Sequence, residues 1–331
     1  MSQPIPLLRR IEGLPVIGVF LILVGLFMFM APNVFLGYRI YMSFLATVPP
    51  VLVLALGLTL VIAAGEIDLS FPSVIAFSGF IFAYLYREHG LTWIAFAAAL
   101  AGGALVGYVN GLLVAGFGIP SIIATLGTQF FWGGITTVLS GGLSYNIRLV
   151  KDEVIWSLFV GRIGPVPVQA FWSLGLAVLL WFILNRHRFG EHLLFIGDNR
   201  NVARVLGVNV DRERIKVFVL MGVLGGFAAV LLTLENKNFF NTQGSGFLLI
   251  ALAGVFIGGT SIFGGKGTIV GTFFGAFIIG MIEAGLVASG IQGFWVRAVV
   301  GIVFVVAVIF HLTMEQPHRL RALRRFILQG R

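Results

Sequence analysis

LTWIAFAAALAGGALVGYVNGLLVAGFGIPSIIATLGTQFFWGGITTVLS, residues Leu91–Ser140, runs for 50 positions without one charged side chain. An α-helix crosses the hydrocarbon layer of a bilayer with about 20 apolar residues, so this stretch is long enough for two crossings. The spacing predicts spans at Leu91–Phe117 and Ile119–Ser140 that meet in a tight turn at Gly118–Pro120. Helices are expected because a backbone in hydrocarbon must satisfy its own polar groups.

The rest of the chain has the same character. Of 331 residues, 58% are hydrophobic and 11% charged, and the mean hydropathy is +1.02. An average globular chain is roughly 45–50% apolar and about 25% charged. Eight further apolar runs complete the pattern: Leu14–Ala31, Val48–Ala64, Phe71–Tyr86, Val168–Asn185, Ile215–Leu234, Phe247–Phe263, Thr268–Ala288 and Phe294–Leu312. The expectation is an all-α polytopic membrane protein of about ten transmembrane helices, one domain over residues 1–331. The first run reads as an uncleaved anchor, because Phe29-Met30-Ala31-Pro32 offers no small-x-small cleavage site. Leu36–Ala46 is more mixed and suits the interface. The stretch KDEVIWSLFVGRIGP (151–165) reads as a short surface helix over the external mouth.

Lysine and arginine set direction. With the N-terminus in the cytoplasm, Arg9, Arg10, the basic residues at 186–216, Lys266 and the tail arginines from 319 to 331 all lie inside. That is 15 of the 22 basic residues. Both termini are therefore expected to be cytoplasmic, with a basic tail over about 313–331. The net charge of +9 reads as this orienting excess, and no nucleic acid is expected as a partner. There is no cysteine, which excludes disulfides and thiolate sites. No HExxH, GxSxG or GxxxxGK[ST] pattern occurs, so no catalytic, metal-binding or cofactor-binding residue is assigned.

Glycine reaches 44 residues, and its spacing is regular. Ala99, Gly103, Gly107 and Gly111 recur every four positions, as do Gly267, Gly271 and Gly275, and Gly222 and Gly226. Small residues at i and i+4 share a helix face and let backbones approach closely, so these positions read as helix packing. Polar groups in apolar surroundings are costly. They are Glu66, Asp68 and Ser70 at the break AAGEIDLSFPS, then Asn110, Thr125, Thr128, Gln129 and Glu283. Two readings stand side by side. Glu66 and Asp68 cap the helix that starts near Pro72, or they join Ser70, Asn110, Thr125, Thr128 and Glu283 in a translocation pathway or gate. Asn110 reads first as an interhelical hydrogen-bonder.

One segment breaks the pattern. FIGDNRNVARVLGVNVDRERIK (195–216) holds eight charged residues in 22. Asp198 is placed to N-cap a helix from Asn199, and Gly207 to end it. Val202, Val205 and Leu206 fall on one face of that helix and Arg200 and Arg204 on another. A two-turn amphipathic helix of this kind fits a partner's groove. The plain alternative is a solvated loop whose arginines only follow the inside rule.

GEIDLS (65–70), NGLLVAGFGIPSIIATLGT (110–128), GDNRNVARVLGVNVDR (197–212) and IGGTSIFGGKGTIVGTFFGA (257–276) resemble the ribose/xylose-type sugar permeases of ATP-binding-cassette importers, over nearly the whole chain. The resemblance implies a ten-span bundle of the vitamin-B12-permease kind in a bacterial inner membrane. It implies a second permease copy, identical or related, and ATPase subunits that hold the ATP. It also implies a periplasmic binding protein that delivers a simple sugar or polyol. The segment at about 186–214 then becomes the ATPase-coupling segment, with Gly197, Asp198, Asn199, Arg200, Ala203, Arg204 and Gly207. The chain departs from the family at Phe71-Pro72-Ser73, where Val-Gly-Ser is usual. Leu248 and Ile250 stand where relatives often carry Glu and Asp, and Glu283-Ala284 where many carry paired asparagines. These departures bear on the substrate. The rival function is a stand-alone ion-coupled carrier that uses Glu66, Asp68 and Glu283.

Overall fold

The computed structural model describes residues 12–315. Arg9, Arg10 and the arginines from 319 to 331 lie outside the described residues. Each of the ten apolar runs is helical. In chain order the helices are α1 (Leu14–Met30), α2 (Pro32–Phe35), α3 (Tyr38–Thr47), α4 (Pro49–Ala63), α5 (Phe71–His89), α6 (Thr92–Gly111), α7 (Ser121–Ser140), α8 (Val154–Val160), α9 (Val168–Arg186), α10 (Arg188–Asp198), α11 (Arg200–Val205), α12 (Val210–Asn236), α13 (Phe247–Ile257), α14 (Ile269–Ala288) and α15 (Val296–Glu315). A π-helical turn, Leu112–Gly116, extends α6. Two short antiparallel pairs lie at the far end of the bundle. Strand β1 (Tyr145–Asn146) pairs with β4 (Asn238–Phe239), and β2 (Arg162–Ile163) with β3 (Val166–Pro167).

Among the described residues, five helices are long and apolar enough to cross a membrane: α6 with its π turn, α7, α9, α12 and α14. The pair α3 and α4, bent by 52° at their junction, makes a sixth. The expected span Phe247–Phe263 is shorter than its sequence suggests, since α13 has 11 residues. At 1.5 Å per residue that is roughly 16 Å, about half the hydrocarbon layer. The cause is Gly258, whose backbone presses on Gly271 and Thr272 of α14. The Thr268 hydroxyl donates to the Gly258 carbonyl and holds the turn there. The expected surface helix in 151–165 is α8, but it is no loose cap. Ile155, Phe159 and Val160 are buried, and Phe159 stacks on Phe96 at 5.0 Å.

The core forms around α4 and α12. All 15 residues of α4 are buried, and α12 packs along α4, α5 and α6. Lipid tails are as apolar as leucine, so close packing rather than exclusion of water must hold such helices together. The glycine faces supply it. A methyl group built at Gly103 would strike the Gly222 carbonyl, one at Gly107 the Phe218 carbonyl, and one at Gly111 the Ile215 backbone. The contact is reciprocal, because Gly222 meets the Gly103 carbonyl in turn. A second crossing joins α13 and α14, where Gly275 meets the Gly254 carbonyl and Gly271 the Gly258 carbonyl. Gly267 packs on Ala63, Leu184 and Thr59. By contrast α7 is an edge helix. It rests on α5 and α6, and its opposite face exposes Ile122, Ile123, Leu126, Phe130, Phe131 and Val138.

These contacts separate two kinds of glycine. Gly271→Leu forces a side chain into backbone and should cost about 3 kcal/mol or more, seen as a lower melting temperature or loss of folded protein. Gly18→Leu projects into open space and should leave the melting temperature unchanged. Equal stability of the two variants would show that the α13–α14 crossing is not a close contact.

Candidate functional site

Helix α4 ends at Ala63, and Gly65 just beyond it has a φ of 75°, a left-handed backbone that favours glycine. A side chain there would also meet Gly197. The chain then runs through residues 66–70 before α5 begins. Glu66 is 3% exposed, and a carboxylate so buried needs cations. It has two. Its Oε1 accepts from Arg200 Nη2 at 2.6 Å and from Arg214 Nε at 2.7 Å. Arg214 also donates through Nη2 to the Val114 carbonyl at 3.1 Å. Val114 lies in the π turn, and such turns interrupt the regular hydrogen-bond ladder.

A second polar chain starts two residues on. Asp68 Oδ1 accepts from the Ser70 amide at 2.7 Å and the Ser70 hydroxyl at 2.6 Å. Ser70 Oγ accepts from Asn110 Nδ2 at 2.7 Å, and the Thr128 hydroxyl donates to Asn110 Oδ1 at 2.6 Å. Backbone amides join in. Ile67 N–H donates to Ser121 Oγ at 3.1 Å and Leu69 N–H to Thr125 Oγ1 at 3.0 Å. Burial pushes the Asp68 carboxyl above its usual range, and the two Ser70 bonds pull it back.

Six of the seven pathway candidates therefore lie in one region: Glu66, Asp68, Ser70, Asn110, Thr125 and Thr128. Glu283 lies on α14, outside this network. The capping reading of the acids is corrected. Ser70 holds the N-cap position of α5 and no side chain caps that helix. Pro72 in the first turn has no amide to cap, and Glu66 turns away to its arginines. Asn110 is an interhelical hydrogen-bonder, as its position suggested.

The 186–214 segment also departs from the simple expectation. Asp198 ends α10 instead of capping α11. Asn199 is the cap, with Oδ1 accepting from the amides of Asn201 at 3.0 Å and Val202 at 3.2 Å. Gly207 follows the helix end with φ 85°, as expected. Ala203 is buried against Ile196, Val208 and Val210. Val202, Val205 and Leu206 face outward, Val205 at 87% exposure. Arg200 and Arg204 do not form a free basic face. Arg200 turns back to Glu66, and Arg204 pairs with Asp211 at 3.5 Å.

Glycines bring in the fourth stretch. Gly265 N–H donates to the Ala63 carbonyl at 2.9 Å. Gly264 packs on Gly65 and Gly197, and a methyl group at Gly197 would strike Ala63 and Gly265. Beside this junction lies a cleft of about 540 Å³ lined by Gly197, Asn199, Arg200, Arg204 and Arg214, among others. Four stretches far apart in sequence meet here. Local patterning missed Arg214, Ser121 and the Gly264–Gly265 contact. One signal pointed to Arg214, since it stands at the mouth of an apolar run and a buried acid elsewhere required a cation.

The geometry defines a multi-pass helical membrane protein whose polar site sits where helix ends and breaks converge. The chain belongs to the family described as "Branched-chain amino acid transport system / permease component", whose model matches residues 40–308. Its relatives include the ribose import permease protein RbsC of Escherichia coli K12, 33% identical over 87% of this chain and 90% of the relative. The D-allose transport system permease protein AlsC of the same strain is 34% identical over 87% of each chain. The fructose import permease protein FrcC of Rhizobium meliloti is 30% identical over 83% of this chain and 80% of its own length. No solved structure is significantly similar.

Asp68→Asn keeps an oxygen for both Ser70 bonds and should leave folding and uptake near the parental level. Asp68→Ala leaves the Ser70 amide and hydroxyl without their acceptor and should cost about 1–3 kcal/mol of stability. The measurement is uptake per folded protein in the membrane. A well-assembled Asp68→Asn protein that has lost most uptake would show that the negative charge itself is needed.

Proposed function

We propose that this chain is the membrane-spanning permease subunit of an ATP-binding-cassette importer and forms the conduit for a simple sugar or related polyol. The observation that carries the reading is α11. It is a capped six-residue helix, anchored by Ala203, that presents Val202, Val205 and Leu206 to the outside. Apolar side chains on a short rigid helix suit docking into a groove of another protein. A chain with no nucleotide motif needs such a contact to receive work from an ATPase.

Membership of a permease family supports the transport role, and relatives named for ribose, D-allose and fructose import support the substrate class. The arrangement proposed is ten crossings with both termini in the cytoplasm, which puts the Glu66 region on the cytoplasmic side. The partners are a second permease copy, ATPase subunits that bind ATP, and an extracytoplasmic binding protein. The conduit residues proposed are Ser70, Asn110, Thr125 and Thr128, whose hydroxyls and amide can replace water around a sugar. An ion-coupled carrier would want a carboxylate free to take its ion, whereas Glu66 is held by two arginines.

The test is reconstitution of the chain with the ATPase and binding protein encoded beside it. Labelled ribose, allose, fructose, a polyol and leucine are offered with ATP inside the vesicles. Sugar or polyol uptake should require ATP and every subunit. Uptake by the chain alone on a Na⁺ or H⁺ gradient would overturn the reading, and leucine as the favoured cargo would overturn the substrate class. Val205→Asp should lower ATP-driven uptake at least tenfold, a loss of about 1.4 kcal/mol of docking energy, with an unchanged melting temperature.

A further inference from the structure

We propose that Glu66 is a two-partner switch that carries movement of α11 to the edge helix α7. The inference rests on the permease reading, in which α11 receives the ATPase. It starts from an asymmetry. One oxygen, Glu66 Oε1, holds both Arg200 and Arg214, yet the two arginines are anchored differently.

Arg214 is 8% exposed and lies near the start of α12, the most buried of the five long helices. Its Nη2 is committed to the Val114 carbonyl. Arg214 therefore moves only with the core. Arg200 is 43% exposed and is the first residue of α11. Its second hydrogen bond, to the Gly65 carbonyl, is long at 3.4 Å. Arg200 therefore moves with α11, whose other ties to its neighbours are the Ala203 contacts and the exposed Arg204–Asp211 pair.

The pairing makes a departure of Arg200 reversible. A buried carboxylate that loses its one cation is left uncompensated, which is strongly unfavourable. Glu66 retains Arg214 when Arg200 goes, so its charge stays paired in both states. A single Glu–Arg pair would act as a permanent staple.

The far side of the switch is built for release. Glu66 leads directly into Ile67 and Leu69, whose amides are held by Ser121 and Thr125 on α7. These are neutral hydroxyl contacts, which exchange for water at little net cost. Helix α7 is the least buried of the five long helices and packs on one side only. Departure of Arg200 leaves Glu66 on Arg214 alone and removes the tie of residues 66–69 to α11, so that this stretch resettles on the core and frees the near end of α7, while the glycine-locked α6–α12 pair stays in place.

The test uses the whole reconstituted complex. The chain has no cysteine, so spin labels can be placed by single substitutions at Asn201 on α11 and Ile123 on α7. Each is paired with a label at Val178 on α9. In the parent, ATP should change both distances. In Arg200→Gln the Asn201 distance should still change, the Ile123 change should fall by at least half, and sugar moved per ATP should fall at least about tenfold, within the usual range of coupling between sites. Arg200→Lys keeps a cation within reach and should restore that ratio to within about threefold of the parent. Glu66→Gln keeps the acceptor without the charge and should show the same split, so the test survives if Arg200→Gln assembles poorly. A full Ile123 response in Arg200→Gln or Glu66→Gln would overturn the switch and leave the permease reading intact. No Asn201 response in the parent would overturn the docking role of α11, and the switch with it.

Discussion

Two helix backbones in van der Waals contact set the geometry of this bundle. Gly103 and Gly107 on α6 meet Gly222 and Phe218 on α12 so closely that neither side has room for a methyl group. Inside a bilayer there is no water to exclude between helices, so such contact must come from shape. The α6–α12 pair fixes where Asn110 and Arg214 stand. Those two side chains in turn receive Ser70 and Glu66 from the break between α4 and α5. The polar site is thus a product of the packing, and charge pairing only completes it.

The site shows how a membrane protein keeps charge at a helix junction. Glu66 is neutralised by two arginines, Asp68 is satisfied by Ser70, and Arg214 also serves a π-turn carbonyl. Each polar group answers a local need, yet together they tie α4, α5, α6, α7, α11 and α12 to a few residues. Neutral bonds face the loosely packed α7, and charged ones face α11 and the core. That difference in bond type makes one side of the site easier to rearrange than the other.

Much of this was legible in the sequence. The ten apolar runs became ten helices, because a long uncharged run has few alternatives in lipid. The i, i+4 glycines marked the contact faces, and at Gly103–Gly222 the partner was another glycine of the same pattern. The site residues from Glu66 to Thr128 were visible as polar groups in expensive places. What local spacing could not give was pairing across distance. Nothing near Glu66 names Arg200 or Arg214, which are more than a hundred residues away. The cap of α11 was missed by one position because Asp198 and Asn199 are both good caps, and packing of α10 chose between them. The length of α13 was missed because its apolar run continues past Gly258, where contact with α14 ends the helix.

The short α13 has a consequence for biogenesis. An 11-residue apolar helix of roughly 16 Å gives the insertion machinery a weak signal by itself. The turn after it leaves peptide groups that lipid cannot satisfy, and here they are met from within the protein. Thr268 N–H donates to Thr260 Oγ1, and Ser261 N–H to the Lys266 carbonyl. Helix α13 therefore depends on α14, with which it forms a hairpin sealed by Gly254, Gly258, Gly271 and Gly275, and on α4, against which both helices pack.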